Sequence, residues 1–119
     1  MIIKTRYLFG LPFATIFIDD KEIEAIVDTG FNGALSLPQE LITELRLKKI
    51  GSAQYVMADG TISESNIYLA KVAWFNEKVE VSVISSSSEF SLLGMELLSK
   101  AKITFEPAKE VLVIEPSLE

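Results

Sequence analysis

Apolar and polar positions alternate along most of this chain. Ile23, Ala25 and Val27 share one face of residues 22–27, with Ile26 on the other. Together with the β-rich run 14–18 across Asp19-Asp20-Lys21, the pattern predicts a hairpin. Residues 34–37 form a short apolar run that predicts a strand. Pro38 then suits a helix first turn, and the helix is expected over 39–47. There Leu41, Ile42 and Leu45 lie on one face, with Glu40, Glu44 and Arg46 largely off it. Extended runs at 54–57 and from Thr61 onward flank Ala58-Asp59-Gly60, a strong short-hairpin signal. Runs 67–75 and 78–84 predict another hairpin about Asn76-Glu77. Residues 85–88 are a polar serine loop. Ser91-Leu92-Leu93-Gly94 leads into a short helix at 95–100, and runs 103–105 and 111–114 predict a last hairpin around Pro107. Neither a linker nor a repeat interrupts this order. The expectation is a single mostly β domain over residues 1–119 with two short helices, a barrel or a sandwich.

Composition narrows the chemistry mainly by what is missing. The chain has 119 residues, about half of them apolar, so a real core is expected rather than disorder. Its net charge is −6, with Lys scattered among Asp and Glu, which argues against nucleic acid as a partner. There is no cysteine, hence no disulfide or thiolate metal site. There is no histidine, which removes Ser-His and Cys-His nucleophile pairs and His-based zinc sites. Acid–base chemistry near neutral pH must then use carboxylates, Lys or Tyr. No metal or other cofactor is expected. The apolar stretch 7–18 is broken by Gly10, Pro12 and Thr15 and ends at Asp19-Asp20. It is too short for a bilayer span and lacks a signal cleavage site, so no membrane association and a cytoplasmic location are expected.

The chemistry concentrates at Asp28-Thr29-Gly30, which closes the run 22–27. By average residue usage about 2% of chains this long carry such a triplet by chance, and the bland reading is a turn after a strand. Its company raises it. Leu11-Pro12-Phe13-Ala14-Thr15-Ile16, then Asp19-Asp20, then Glu24-Ala25-Ile26-Val27-Asp28-Thr29-Gly30 resembles the opening hairpin and catalytic loop of the retroviral-type (retropepsin-like) aspartic proteases. Leu92-Leu93-Gly94 before Met95-Glu96-Leu97-Leu98 resembles their second signature, Ile103-Thr104-Phe105 the strand after it. Val56-Met57-Ala58-Asp59-Gly60-Thr61 falls where that family places its flap. The resemblance runs from about residue 11 to 114.

The resemblance implies a closed β-barrel of the acid protease fold, with a flap hairpin and a C-terminal helix. It implies a homodimer with its active site on the twofold axis, hydrolysing extended peptides. Each subunit would lend one Asp28 carboxylate. Two carboxylates so close cannot both ionise, so they share a proton and activate water together. Thr29 would hydrogen-bond across the dimer, and Gly30 would allow close approach of backbone or substrate. Leu92, Leu93 and Gly94 would support the loop from behind. Ala58, Asp59 and Gly60 would tip the flap, with the peptide adding as a strand beneath it. Ile2 and Ile3, with Val111, Val113 and Ile114, would form an intersubunit terminal sheet or pack within one subunit. Trp74 and Phe75 read as core or interface anchors, and Met57 and Met95 as packing.

The chain departs from the family after Gly30, where a small residue is usual and Phe31 stands instead, followed by Asn32 and Gly33. Phe31 would narrow a substrate subsite or turn into the core. Asn32 would bind substrate backbone or serve turn geometry with Gly33. Phe31 favours the alternative function, a catalytically inactive peptide-binding or dimerisation module of the same fold. A monomeric small-molecule binder is the background option.

Overall fold

The computed structural model describes residues 2–56 and 60–118. Strand β1 (Thr5–Leu8) turns into β2 (Leu11–Ile18), and β2 into β3 (Lys21–Val27). After a loop come β4 (Leu35–Pro38), helix α1 (Gln39–Leu45), β5 (Lys48–Val56), β6 (Ile62–Trp74) and β7 (Glu77–Ser86). The two-residue strand β8 (Leu92–Leu93), helix α2 (Met95–Leu98), β9 (Ala101–Glu106) and β10 (Val111–Pro116) complete the chain. Among the described residues one sheet has the order β1-β2-β3-β8-β4-β7-β6-β5. Strand β2 also pairs with β6, through Phe17 with Ala73 and Ile18 with Val72. That second pairing closes the sheet on itself.

Pleat periodicity decides what lies inside. Ala14, Ile16 and Ile18 of β2, Ile23 and Ala25 of β3, Ala70, Val72 and Trp74 of β6, and Val81 and Val83 of β7 are all buried. They meet Leu35 and Leu37 of β4, Ile42 of α1, Leu93, Leu97, Leu98, Leu112 and Ile114 in one core. Asp19 and Asp20 both take the left-handed conformation, φ 48° and 69°. That backbone matches the strand twist in a two-residue hairpin, and aspartate tolerates it.

Boundaries differ from the sequence expectation where the local chemistry is visible. Helix α1 stops at Leu45 because Arg46 is left-handed (φ 55°) and its N–H folds back on the Thr43 carbonyl, 3.1 Å away. Helix α2 ends at Leu98, two residues short of the expectation, and β9 begins at Ala101. The turn between β6 and β7 is Phe75-Asn76, one residue earlier than Asn76-Glu77, since Trp74 pairs with Glu77. This register keeps Trp74 on the buried face with Val72 and Ala70. Residues 3–8 are integral to the fold. Strand β1 pairs along β2, the Ile3 N–H donates to the Ile114 carbonyl at 3.0 Å, and the Thr5 hydroxyl donates to the Leu112 carbonyl at 2.6 Å. Ile114 is thus part of the core, while Ile2 is exposed.

Candidate active site

Strand β3 delivers Asp28 to its place. Ile26 and Val27 pair in parallel with Leu92 and Leu93 of β8, which pairs on its other side with Leu35 and Ser36 of β4. The ladder carries one residue further: the Asp28 N–H donates to the Leu93 carbonyl at 2.9 Å. The acid therefore sits at the last rung of a sheet whose interior side, Leu35 and Leu93, is fully buried. Beyond it the chain turns back on the side chain. The Gly30 N–H donates to Oδ1 of Asp28 at 2.9 Å, and the Phe31 N–H donates to the Asp28 carbonyl at 3.2 Å. A Cβ at Gly30 would stand 3.2 Å from that same Oδ1, so glycine lets the backbone approach the carboxylate unhindered. Asp28 is half-buried, and Thr29 and Gly30 are exposed.

The second signature lies behind this loop. The Gly94 N–H donates to the Ala34 carbonyl at 2.9 Å, the Met95 N–H to Phe31 at 2.7 Å, and the Glu96 N–H to Gly33 at 3.1 Å. The start of α2 is thereby laced to the second half of the loop between β3 and β4, at Phe31, Gly33 and Ala34. Leu92, Leu93 and Gly94 stand directly against the segment carrying Asp28. The Phe31 ring folds onto Gly33 and Gly94 rather than standing clear of the loop. Asn32 is exposed. Gly33 sits in a bend without a left-handed φ, so backbone conformation alone does not demand glycine there.

Other expected positions are less connected. Arms β5 and β6 pair out to Val56 with Ile62, and Gly60 is left-handed at φ 88°. Ala58 and Asp59 lie outside the described residues. Thr29 borders a small apolar cavity of about 100 Å³ with Pro12, Val27, Ile103, Phe105 and Leu112. Phe105 is 53% exposed at its mouth and stacks on Tyr7, ring centroids 6.4 Å apart.

One polar cluster escaped the sequence reading. The Ser85 hydroxyl donates to Oε1 of Gln39 at 2.7 Å, and the Tyr68 hydroxyl lies 3.3 Å from the Gln39 amide nitrogen. Gln39 and Ser85 line a polar cavity of about 540 Å³ with Ser36, Asn66 and Ser86, separate from Asp28. No sequence signal marks it, because three strands and a helix start meet only in space.

The sequence pattern of the family described as "gag-polyprotein putative aspartyl protease" matches residues 14–100. No curated protein matches the chain in sequence. Among solved structures, a retropepsin-like aspartic protease from Rickettsia conorii superposes with a TM-score of 0.68 at 21% identity, over 96% of this chain and 88% of that one. EIAV protease, complexed with the inhibitor HBY-793, gives 0.65 at 16% identity, over 81% and 92%. The simian foamy virus (mac) protease gives 0.58 at 17% identity, over 73% and 91%. By the span of its sequence match, and with a fold shared by all three structures, this chain belongs to the aspartyl protease family of the gag-polyprotein type and is retropepsin-like in architecture.

Proposed function

We propose that this chain is an aspartic endopeptidase that acts as a homodimer, with one Asp28 from each subunit at the twofold axis. The observation that carries the reading is the mounting of Asp28. Its backbone is held by Leu93, and its carboxylate accepts the Gly30 N–H at 2.9 Å, which fixes the side chain at an open loop. One such acid per chain is half of the machinery that peptide hydrolysis by this chemistry needs. In the dimer the ionised carboxylate takes a proton from a bound water. The water oxygen attacks the scissile carbonyl carbon while the protonated partner donates to the carbonyl oxygen. The resulting diol collapses to acid and amine.

Further features support a second copy and an extended peptide. Thr29 is exposed beside an apolar cavity edged by Phe105, a surface suited to a symmetric partner. The paired arms β5 and β6 would carry residues 57–60, Ala58 and Asp59 among them, over the bound peptide as a flap. Among the described residues no helix is long and apolar enough to cross a membrane; a cytoplasmic site of action is part of the proposal.

The test is cleavage of a mixed peptide library by the purified chain, beside Asp28→Asn. The amide keeps an oxygen for Gly30, so the fold should persist while cleavage drops at least about a thousandfold. Full activity in the Asn variant would refute the mechanism. Binding of a statine-type peptide by a wild-type chain that never cuts would establish the non-catalytic module instead.

A further inference from the structure

Phe31 occupies the position after the catalytic glycine, and the structure gives its ring a defined seat. A Cβ on Gly33 would stand 2.6 Å from Cζ and 2.9 Å from Cε1 of Phe31, and its three nearest atoms all belong to that ring. A Cβ on Gly94 would stand 2.5 Å from Cδ2 of Phe31 and would also meet the carbonyl oxygens of Gly33 and Phe31. Neither glycine has a left-handed φ; Gly94 is extended at −110°. Their missing side chains are thus explained by space, and at Gly33 that space is filled by the Phe31 ring. One glycine lies in the catalytic loop and the other between β8 and α2. The ring bridges the two segments where the Phe31 carbonyl accepts the Met95 N–H and the Gly33 carbonyl accepts the Glu96 N–H.

We propose that Phe31 is a positioning residue: its ring, seated in a notch made by Gly33 and Gly94, clamps the Asp28 loop to the start of α2 and so fixes the aim of the Asp28 carboxylate. It acts through the backbone, since its own N–H donates to the Asp28 carbonyl. The inference rests on the reading of Asp28 as the catalytic acid. It assigns the ring to the loop's own architecture rather than to a substrate pocket. A residue that merely fills space would alter stability alone. A clamp also governs how often the acid is held in reacting geometry, which appears in kcat.

Two measurements on the full chain, at one fixed protein concentration, decide it. The first is a melting cycle. Gly33→Ala should lower Tm by on the order of 10 °C in the wild-type chain and by far less in a Phe31→Ala background, whose own loss sets the baseline. Gly94→Ala should lower Tm in both backgrounds, because backbone oxygens also crowd the new methyl. A Gly33→Ala loss as large in the Phe31→Ala background as in the wild type would overturn the interlock, whether or not the chain is a peptidase. The second is kinetic, below the melting range. Phe31→Ala should reduce kcat about tenfold or more with KM within about twofold, and Phe31→Leu should restore most of it. An unchanged kcat, or a changed KM with a new preference beside the scissile bond, would overturn the positioning role. Absence of cleavage by the wild type would instead sink the peptidase reading and leave the melting cycle to stand as the test of the clamp.

Discussion

The amide of Asp28 is suspended from the carbonyl of Leu93 by a 2.9 Å hydrogen bond, so an acid on one segment is placed by a residue far along the chain. Leu93 is fully buried, paired with Val27 on one side and Leu35 on the other. Its side chain anchors the rung from which the acid hangs. Leu93→Ala should cost about 2–5 kcal/mol, since the residue is fully buried on a strand held between β3 and β4 and has little room to collapse. Urea unfolding would read this as a lower midpoint at an unchanged slope. A loss below about 1 kcal/mol would mean that Leu93 is not the anchor.

How much of this could be read from the chain itself depends on range. Strands with alternating residues, such as β2 and β3, and the hairpin between them were plain, because pleat periodicity and turn chemistry are local; only Lys21, expected in the turn, belongs to β3. The Asp28 triplet and Leu92-Leu93-Gly94 were visible as motifs with a family's order. Strand β8 was not, since two residues carry no period; it exists because β3 and β4 both lend it partners. Strand β1 lies before the stretch that carries the resemblance, and its place is set by β2 and by the Leu112 carbonyl. Asn32 with Gly33 read equally as a substrate-binding amide or as turn geometry. The space a Cβ would need at Gly33 is filled by the Phe31 ring, a fit that no one-dimensional pattern records.

Arg6 and Glu24 join β1 to β3 across the outer face of β2. Nε of Arg6 donates to Oε2 of Glu24 at 2.6 Å and Nη2 donates to Oε1, a two-pronged pair. The hydrogen bond from Arg6 holds the Glu24 carboxyl below its ordinary value of 4.5. A carboxylate whose folded pKa is depressed stabilises the fold above its unfolded pKa, and that stability is lost as pH falls through the folded value. Wild type should therefore melt a few degrees above Glu24→Gln at neutral pH, and the gap should close as pH falls below 4.5. Both side chains are substantially exposed, so added salt should shrink the gap as well. A gap that persists in acid would assign the effect to packing.

Gln39 begins α1 while its side chain reaches Ser85 on β7 and Tyr68 on β6. The amide thereby bridges the barrel wall to the helix that follows β4. The Ser85 contact is the short one, at 2.7 Å, whereas the Tyr68 contacts are 3.3 and 3.4 Å. Ser85→Ala should therefore cost more than Tyr68→Phe, about 1 kcal/mol against a few tenths. Denaturant titrations of the two single variants and the pair would show it, with a non-additive double confirming that both act through Gln39. The reverse ranking would place the network's strength at the tyrosine.

Phe105 is exposed on β9, stacked on Tyr7, at the mouth of the cavity that includes Thr29. If a second copy covers Thr29, it covers this ring too, and in a twofold interface each substitution counts twice. Phe105→Asp should then weaken the dimer at least about tenfold, through two buried unpaired charges in place of two apolar contacts. Peptide cleavage should fall with it at low protein concentration and recover as concentration rises. Phe17→Asp provides the control: Phe17 is also exposed, at 42%, but it sits at the opposite end of β2 from Pro12. Sedimentation velocity across a dilution series would separate the cases. Equal behaviour of both variants, or a wild-type chain that stays monomeric at concentrations where it cleaves, would remove this face, and with it the shared pair of acids, from the account.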